Sequence, residues 1–155
     1  GVDFVGNGTP QNAFTIGKDN ISRDSWTEFV IDLHRDAVAE ETKLVTDIQG
    51  QPVAKVMFFN GLGRSKEKGE ISYLKNPYLQ ENLAFSFQMK VTCDEYYPGF
   101  ARKIYLRAYR YNMHLCPKTL LVELGAQTNT KEEIQDALKP LAHVLSMVLS
   151  GEESG

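Results

Sequence analysis

The pattern of apolar and polar positions along the chain predicts strands interleaved with helices. Four runs rich in apolar and β-branched residues are typical of short strands, and they cover residues 28–33, 43–48, 52–59 and 119–125. The two middle runs flank Gln49-Gly50-Gln51, and a glycine between two strand-like runs indicates a hairpin. Residues 61–75 are mostly polar and punctuated by glycine, which predicts a loop.

Two later segments show the periodicity of amphipathic helices. The first is predicted to begin at Asn76, because asparagine is a favoured N-cap residue and Pro77 suits the first helical position. We expect this helix to end at Tyr97-Pro98-Gly99, since proline and glycine commonly follow helix ends. Apolar residues recur at every fourth position and predict its buried face, which consists of Leu79, Leu83, Phe87 and Val91.

The last predicted helix begins with Thr130 and Glu133, whose spacing is that of a capping box. Pro140 lies inside its pattern and predicts a kink, because proline removes a backbone hydrogen bond. The predicted core face of this helix consists of Ile134, Leu138, Leu141, Leu145 and Val148. Together these elements predict a single α/β domain over residues 28–150, with a mixed sheet flanked by helices.

The two ends of the chain are predicted to contain little regular structure. Residues 1–27 are rich in glycine, asparagine, threonine, serine and aspartate, without a sustained hydrophobic period. We therefore expect a poorly structured N-terminal segment there. Residues 151–155 are small or acidic, and we expect them to form a frayed tail.

Composition and charge exclude some classes of function. The 155-residue chain is 42% hydrophobic and 24% charged, which is ordinary for a soluble globular protein. Its formal net charge of −3 argues against a nucleic-acid partner, because phosphate backbones are held by an excess of basic residues. No apolar run approaches the roughly 20 residues of a membrane span. Cys93 and Cys116 are expected to be two unrelated buried thiols, with their redox state left open.

His34 and Glu123 are the residues that suggest a site. His34 follows the apolar run Phe29–Leu33 and is itself followed by Arg35 and Asp36, while Glu123 lies in the run 119–125. In open α/β sheets ligands collect at strand ends, and an imidazole and a carboxylate there suggest metal-assisted hydrolysis. The simpler interpretation is a hydrogen-bonded histidine at a strand end and a glutamate that faces water.

A second cluster of polar residues lies among the tyrosines of residues 105–114, and it consists of Arg107, Arg110, Asn112 and His114. Such a cluster suits a carboxylated peptide, because arginine binds carboxylates through two parallel hydrogen bonds. A surface loop whose arginines pair with nearby acids would have the same composition. The spacing of His114 and Cys116 also leaves open a cysteine nucleophile, for which the sequence offers no orienting acid.

Seven sequence blocks of the chain occur in the order found in one family of proteins. They are I-D-L-H-R-D-A (31–37), A-K-V-M-F-F-N-G (54–61), N-P-Y-L-Q-E-N-L-A-F (76–85), Y-P-G-F-A-R-K-I-Y-L-R (97–107), Y-R-Y-N-M-H-L-C-P (109–117), L-L-V-E-L-G (120–125) and N-T-K-E-E (129–133). Over roughly residues 28–149 the chain resembles the C-terminal part of the stage II sporulation protein P family. That resemblance implies an extracytoplasmic, cell-wall-associated hydrolase that acts during engulfment in spore formers.

The family is related to zinc-dependent N-acetylmuramoyl-L-alanine amidases, so the resemblance implies an amidase-like fold and zinc as the cofactor. His34 resembles the second histidine ligand, and Glu123 resembles the catalytic glutamate. The implied reaction is cleavage of the lactyl–L-alanine amide of peptidoglycan, with Asp36 or Asp32 orienting the imidazole. The residues expected to contact the stem peptide are Arg35, Asp36, Arg107, Arg110, Asn112 and His114.

The chain departs from the family pattern in its first block. A strand that ends in His-x-His, and the glutamate ligand that follows it, are not found in this sequence. A single histidine would hold zinc weakly, because catalytic zinc sites normally use three protein ligands. The alternative expectation is therefore a catalytically inactive amidase-like module that binds peptidoglycan or a protein partner. A sheet without its first strand also has an exposed edge, which predicts a homodimer through that edge.

Overall fold

The structure is a computed structural model that describes residues 29–67 and 69–151. The strands of this part of the chain are β1 (Val30–Asp36), β2 (Val45–Ile48), β3 (Gln51–Ala54), β4 (Val56–Gly61), β5 (Arg64–Ser65), β6 (Gly69–Glu70), β7 (Tyr105–Arg107) and β8 (Thr119–Ala126). The helices are α1 (Leu79–Tyr96) and α2 (Lys131–Ser150). The predictions for residues 1–27 and 152–155 lie outside the described residues.

A four-stranded mixed sheet with the order β1-β8-β4-β7 forms the centre of the fold. β1 runs parallel to β8, and β7 runs parallel to β4, whereas β4 and β8 are antiparallel. β2 and β3 form the predicted hairpin, whose turn residues Gln49 and Gly50 both have positive φ, as type I′ turns require. The single strand predicted over residues 52–59 is wrong, because the chain divides there into β3 and β4, which belong to different sheets. The predicted α/β class with a mixed sheet is confirmed.

Neighbouring residues of a strand point to opposite faces of this sheet, and the two faces have different surroundings. One face packs against both helices in the main hydrophobic core. The fully buried residues of this core include Phe58 and Val122 of the sheet and Met89 and Val144 of the helices. The opposite face contributes to a smaller cluster that consists of Met57, Phe59, Leu121 and Met113. Helices therefore cover one face, and the other is left for loops and for the candidate site.

Helix α1 begins two residues later than the sequence predicts. Its N-cap is Tyr78, which makes no side-chain capping hydrogen bond. The Asn76 side chain instead donates from Nδ2 to the carbonyl of Gly61 at 2.9 Å and so attaches to the end of β4. The predicted roles of Asn76 and Pro77 at the helix start are therefore wrong, whereas the predicted end is confirmed, because Tyr97 caps the last turn.

The predicted buried face of α1 is wrong at Phe87 and Val91, whereas Leu79 and Leu83 are partly buried. Phe87 is 62% exposed and Val91 is 46% exposed. The residues that the helix buries are Asn82, Phe85, Ser86, Met89 and Cys93. Asn82 is one of two polar residues among them. Its side chain donates to the Met113 carbonyl, in the loop before β8, at 2.6 Å and accepts from the Thr119 amide of β8 at 2.9 Å. These side-chain bonds fix the rotation of the helix, which the spacing of apolar residues did not reveal.

Helix α2 agrees more closely with its prediction. Thr130 accepts from the Glu133 amide while the Glu133 carboxylate accepts from the Thr130 amide, which confirms the capping box. The helix continues through Pro140 to Ser150. Its apolar side packs on the core as predicted, with Leu141 buried and the other predicted residues partly buried. Neither α1 nor α2 combines the length and apolar character needed to cross a membrane.

Strand β1 is longer and more exposed than the sequence predicts. It extends to Asp36, so His34 lies inside the strand and not beyond its end. The strand stays in register with β8 as far as His34, and the register shifts before Asp36 pairs with Ala126. Leu33 is 41% exposed, because β1 is the outer strand of the sheet as described.

Candidate functional site

His34 and Glu123 lie side by side on adjacent strands. They are register partners in the parallel ladder between β1 and β8, so their side chains project from the same face of the sheet. Met57 of β4 is the partner of Glu123 on the other side. The two residues that the sequence singled out, 89 positions apart in the chain, are therefore brought together.

Asp32 holds the imidazole of His34. His34 Nε2 lies 2.6 Å from Asp32 Oδ1, and Asn112 Nδ2 donates to Asp32 Oδ2 at 2.9 Å. The Asp32 hydrogen bond raises the pKa of His34; burial opposes this, and the charges of Asp32 and Glu123 reinforce it. Burial favours a higher pKa for Asp32, but the bond and charge of His34 and the Asn112 bond outweigh it and lower that pKa. Of the two aspartates expected to orient the imidazole, Asp32 has the required contact.

Glu123 has a different environment from Asp32. Its Oε2 atom is buried and lacks a hydrogen-bond partner among the described residues. Burial raises the pKa of Glu123, and the charges of Asp36 and Asp32 add to this, while those of His34 and Arg102 oppose it. A half-buried carboxylate with an unpaired oxygen and a raised pKa is suited to accept a proton.

Two of the predicted site residues make contacts that hold the fold together. Asp36 accepts a 2.6 Å hydrogen bond from the guanidinium of Arg102, which sequence reasoning did not select because no motif marks it. The Arg35 side chain donates to the carbonyls of Ala126 and Asn129 at 2.6 and 2.9 Å. Arg35 therefore ties β1 to the connection between β8 and α2.

The cluster of residues 107–114 divides into exposed and bound groups. Arg110 Nη1 donates to the Lys75 carbonyl at 3.0 Å, and Asn112 is bound to Asp32. His114 Nδ1 is buried without a hydrogen-bond partner among the described residues, and burial and the charge of Arg110 lower its pKa. Arg107 is exposed and lies over the ring of Tyr105, 4.9 Å from its centroid.

Both cysteines are buried and free, as expected. Burial raises the pKa of Cys93 to about 12, so this thiol is inert at neutral pH. Cys116 contacts Thr119, with Sγ and Oγ1 3.4 Å apart.

A pocket of about 580 Å³ lies between the β5–β6 hairpin and the start of α1. None of the predicted site residues lines it, but Arg107 and Arg110 are hydrogen-bonded to Leu62 and Lys75 of its wall.

The donor groups at this site fall short of the requirements of zinc. Catalytic zinc sites normally use three protein ligands. Within residues 29–67 and 69–151, no group of three or more histidine, cysteine, aspartate or glutamate side chains is placed to hold a metal ion. His34 is the imidazole at the site, and its Nε2 already bonds Asp32. The described residues therefore do not make a complete zinc site on their own.

Sequence comparison gives the chain a family. The family model described as stage II sporulation protein P matches residues 12–146. Stage II sporulation protein P of Bacillus subtilis (strain 168) is 26% identical over 136 residues, which cover 84% of this chain and 31% of that protein. The chain thus spans about a third of the length of this curated relative.

Structural comparison gives the fold a known counterpart. The crystal structure of the N-acetylmuramyl-L-alanine amidase Ami1 from Mycobacterium smegmatis has a TM-score of 0.50 with this chain at 12% identity. The match covers 97% of this chain and 64% of the amidase chain. At this identity the likeness shows a shared fold, which confirms the amidase-like architecture.

Proposed function

The chain belongs to the stage II sporulation protein P family, and from this premise we propose that it is part of a cell-wall hydrolase, with Glu123 as its catalytic base. The observation that carries the proposal is the pairing of His34 with Glu123 across the β1–β8 ladder. Glu123 also has a buried oxygen without a hydrogen-bond partner among the described residues, and its pKa is raised by burial, which suits a proton acceptor. The proposed place of action is the cell wall, outside the cytoplasm, during engulfment.

The proposed substrate is peptidoglycan, and the proposed bond is the amide between the lactyl group of muramic acid and L-alanine. Support for this bond comes from the fold, which is shared with a protein described as an N-acetylmuramyl-L-alanine amidase. In the proposed reaction, water adds to the amide carbonyl while Glu123 takes one of its protons. The carbon–nitrogen bond then breaks, and Glu123 returns the proton to the departing amine of L-alanine.

His34 is proposed to assist from the neighbouring strand. The bond with Asp32 at Nε2 fixes the orientation of the ring and leaves Nδ1 for a further ligand or a water molecule. Zinc is the cofactor that the family implies, and we propose His34 as the ligand that this chain contributes.

The test is digestion of purified peptidoglycan, followed by measurement of new L-alanine amino termini. We expect the wild-type chain to release them and Glu123→Gln to lose about 10²–10⁴-fold in rate, which is the usual contribution of a general base. Glu95→Gln is the matched control, because Glu95 is an exposed glutamate on α1 with no place in the proposed site. Full activity in Glu123→Gln would show that this glutamate is not the base.

The alternative function is a catalytically inactive module that binds peptidoglycan or a protein partner. The observation that favours it is the incomplete ligand set among the described residues. An inactive module would bind peptidoglycan without releasing amino termini, and it would contain no stoichiometric zinc after purification. Metal content measured on wild type and His34→Ala, alongside the digestion, separates the two functions.

A further inference from the structure

A row of aromatic rings lies on the same sheet face as His34 and Glu123. Phe59 of β4 is the register partner of both Leu121 and Tyr105, and Leu121 precedes Glu123 by two positions on β8. The rings of Phe59 and Tyr105 are 5.4 Å apart, and Tyr111 meets Phe59 edge-on at 4.8 Å. We call the exposed part of this region the Tyr–Arg surface, which consists of Tyr105, Arg107, Tyr109 and Tyr111.

The backbone holds these tyrosines in an exposed arrangement. Tyr109 is 64% exposed, and Tyr111 is 45% exposed although its ring contacts Phe59. Tyr111 has a φ of 52°, a left-handed conformation that is uncommon for an aromatic residue and that is often found at functional sites. The loop also packs directly against Gly61, where a Cβ atom would overlap the carbonyls of Tyr109 and Arg110. Glycine at this position thus permits the close approach of the loop.

The stretch of sequence that carries the Tyr–Arg surface is basic, unlike the chain as a whole. The chain has a net charge of −3, but residues 101–119 contain no aspartate or glutamate. The basic residues of that stretch are Arg102, Lys103, Arg107, Arg110 and Lys118. Arg102 pairs with Asp36, whereas Arg107 takes part in none of the ion pairs found in the described part of the chain. Arg107 is therefore an exposed cation that stacks on Tyr105 and is available to a ligand.

We infer that the Tyr–Arg surface binds the acidic stem peptide of the proposed substrate, with Arg107 contacting a carboxylate of that peptide. The inference rests on the proposed function, because it assigns a subsite for the same substrate. Stacking on Tyr105 orients the guanidinium, and an oriented guanidinium binds a carboxylate through two hydrogen bonds. The exposed charge of Arg107 favours an anionic peptide over an uncharged glycan strand.

The distance between Glu123 and the Tyr–Arg surface agrees with this assignment. β7 lies two strands from β8 in the sheet order, and Tyr105 is level with a residue two positions before Glu123. With strands about 4.8 Å apart and a rise of about 3.3 Å per residue, the two Cα atoms are about 12 Å apart. An extended peptide spans that distance in about four residues. A peptide whose first amide lies at Glu123 therefore reaches the Tyr–Arg surface.

The experiment measures binding in the Glu123→Gln protein, so that turnover does not interfere. The probes are a synthetic tetrapeptide that begins with L-alanine and has a free glutamate carboxylate, and the same peptide with that carboxylate amidated. We expect Arg107→Gln to weaken binding of the acidic peptide about tenfold, the effect of losing one charge-assisted hydrogen bond, without changing binding of the amidated one. Arg107→Lys should retain part of the affinity, because it keeps the charge but not the paired geometry.

Lys118→Gln is the matched control, since Lys118 is an exposed cation of the same stretch outside the Tyr–Arg surface. Equal binding of the acidic peptide by Arg107→Gln and its parent, or competition by a peptide-free glycan oligosaccharide, would overturn the inference. If the variants bind the two peptides as expected but the wild-type chain does not hydrolyse peptidoglycan, the result counts against the proposed function and not against the binding surface. A thermal unfolding curve confirms that each variant is folded.

Discussion

At the scale of single residues, three carboxylates of the described chain show how contacts decide what a carboxylate does. Asp32 binds His34 and Asn112 through separate oxygens, and Glu133 binds Asn129 and the Thr130 amide. Glu123 has a buried oxygen without such a partner. Hydrogen bonds to the ionised form lower a pKa, and burial without them raises it. The first two are therefore held in place as anions, and Glu123 is the one suited to take up a proton.

The Glu133 contacts predict a pH dependence of stability. Burial opposes ionisation, but the bonds from Asn129, Thr130 and Lys43 outweigh it and lower the pKa of Glu133 from 4.5. A lowered folded-state pKa means that the stabilisation is complete above the unfolded value and is lost as pH falls through the folded value. We expect Glu133→Gln to lower the free energy of unfolding by about 1–2 kcal/mol at pH 7. On acidification the free energy of unfolding of the variant should then fall less than that of wild type.

Urea unfolding of wild type and Glu133→Gln at several pH values between 7 and 3 measures this difference. Glu132→Gln is the control, because Glu132 is an exposed glutamate in the first turn of α2. Parallel stability curves for wild type and Glu133→Gln across this range would contradict the assigned role of the carboxylate.

At the scale of elements, helix α1 depends on polar anchors more than on its apolar stripe. Asn82 bridges the Met113 carbonyl and the Thr119 amide, and Ser86 exchanges hydrogen bonds with Asn60 of β4. These bonds attach the helix to the sheet and to the loop that covers the opposite face. Two of the apolar residues with helical spacing, Phe87 and Val91, face outward.

Substitutions on the two faces of α1 are expected to have opposite consequences. Asn82→Ala leaves a buried amide and a buried carbonyl unpaired, so we expect a loss of about 2–4 kcal/mol in the free energy of unfolding. Phe87→Ala removes an exposed ring, and the expected change is within about 0.5 kcal/mol. Chemical unfolding of both variants gives the comparison. A larger loss for Phe87→Ala than for Asn82→Ala would restore the face that the sequence predicted.

The sequence predicted the elements whose signals are local. The Thr130–Glu133 capping box and the Gln49-Gly50 turn depend on neighbouring residues, and both are confirmed. The rotation of α1 depends on the long-range bonds of Asn82, and the extension of β1 through His34 depends on pairing with β8. Such contacts join distant parts of the chain, so hydrophobic periodicity could not reveal them. The positions of His34 and Glu123 in strand-like apolar runs indicated a site, and the family resemblance added their expected roles. The Asp36–Arg102 contact had no sequence signal.

At the scale of the whole molecule, β1 is the outermost strand of the mixed sheet among the described residues. β1 pairs with β8 on one side, and the described residues provide no strand on its other side. The Val30 amide donates to the carbonyl of Lys118, the residue before β8. Along a parallel strand the backbone amides point alternately to the two sides of the strand. The Leu33 amide therefore points away from β8. Within the described residues these outward-facing groups have no strand partner, and such an edge favours pairing with another chain.

We predict a homodimer that forms through the outer edge of β1. Leu33→Pro removes an outward-facing donor without removing a bond to β8, and proline is tolerated on edge strands when its position faces outward. Light scattering over a range of concentrations should show dimer for wild type and a shift toward monomer for Leu33→Pro. Ser72→Pro, outside β1, serves as the control for proline itself. Monomer alone for wild type at high concentration would contradict the prediction.

The measurement that tests the central claim most directly is a double-mutant cycle on His34 and Glu123. Release of L-alanine amino termini from peptidoglycan is compared for wild type, His34→Ala, Glu123→Gln and the double variant. Residues that act as a unit have non-additive effects, so we expect the double variant to be about as slow as the slower single variant. Independent, additive losses, or a wild-type rate in either single variant, would contradict a shared catalytic site across β1 and β8.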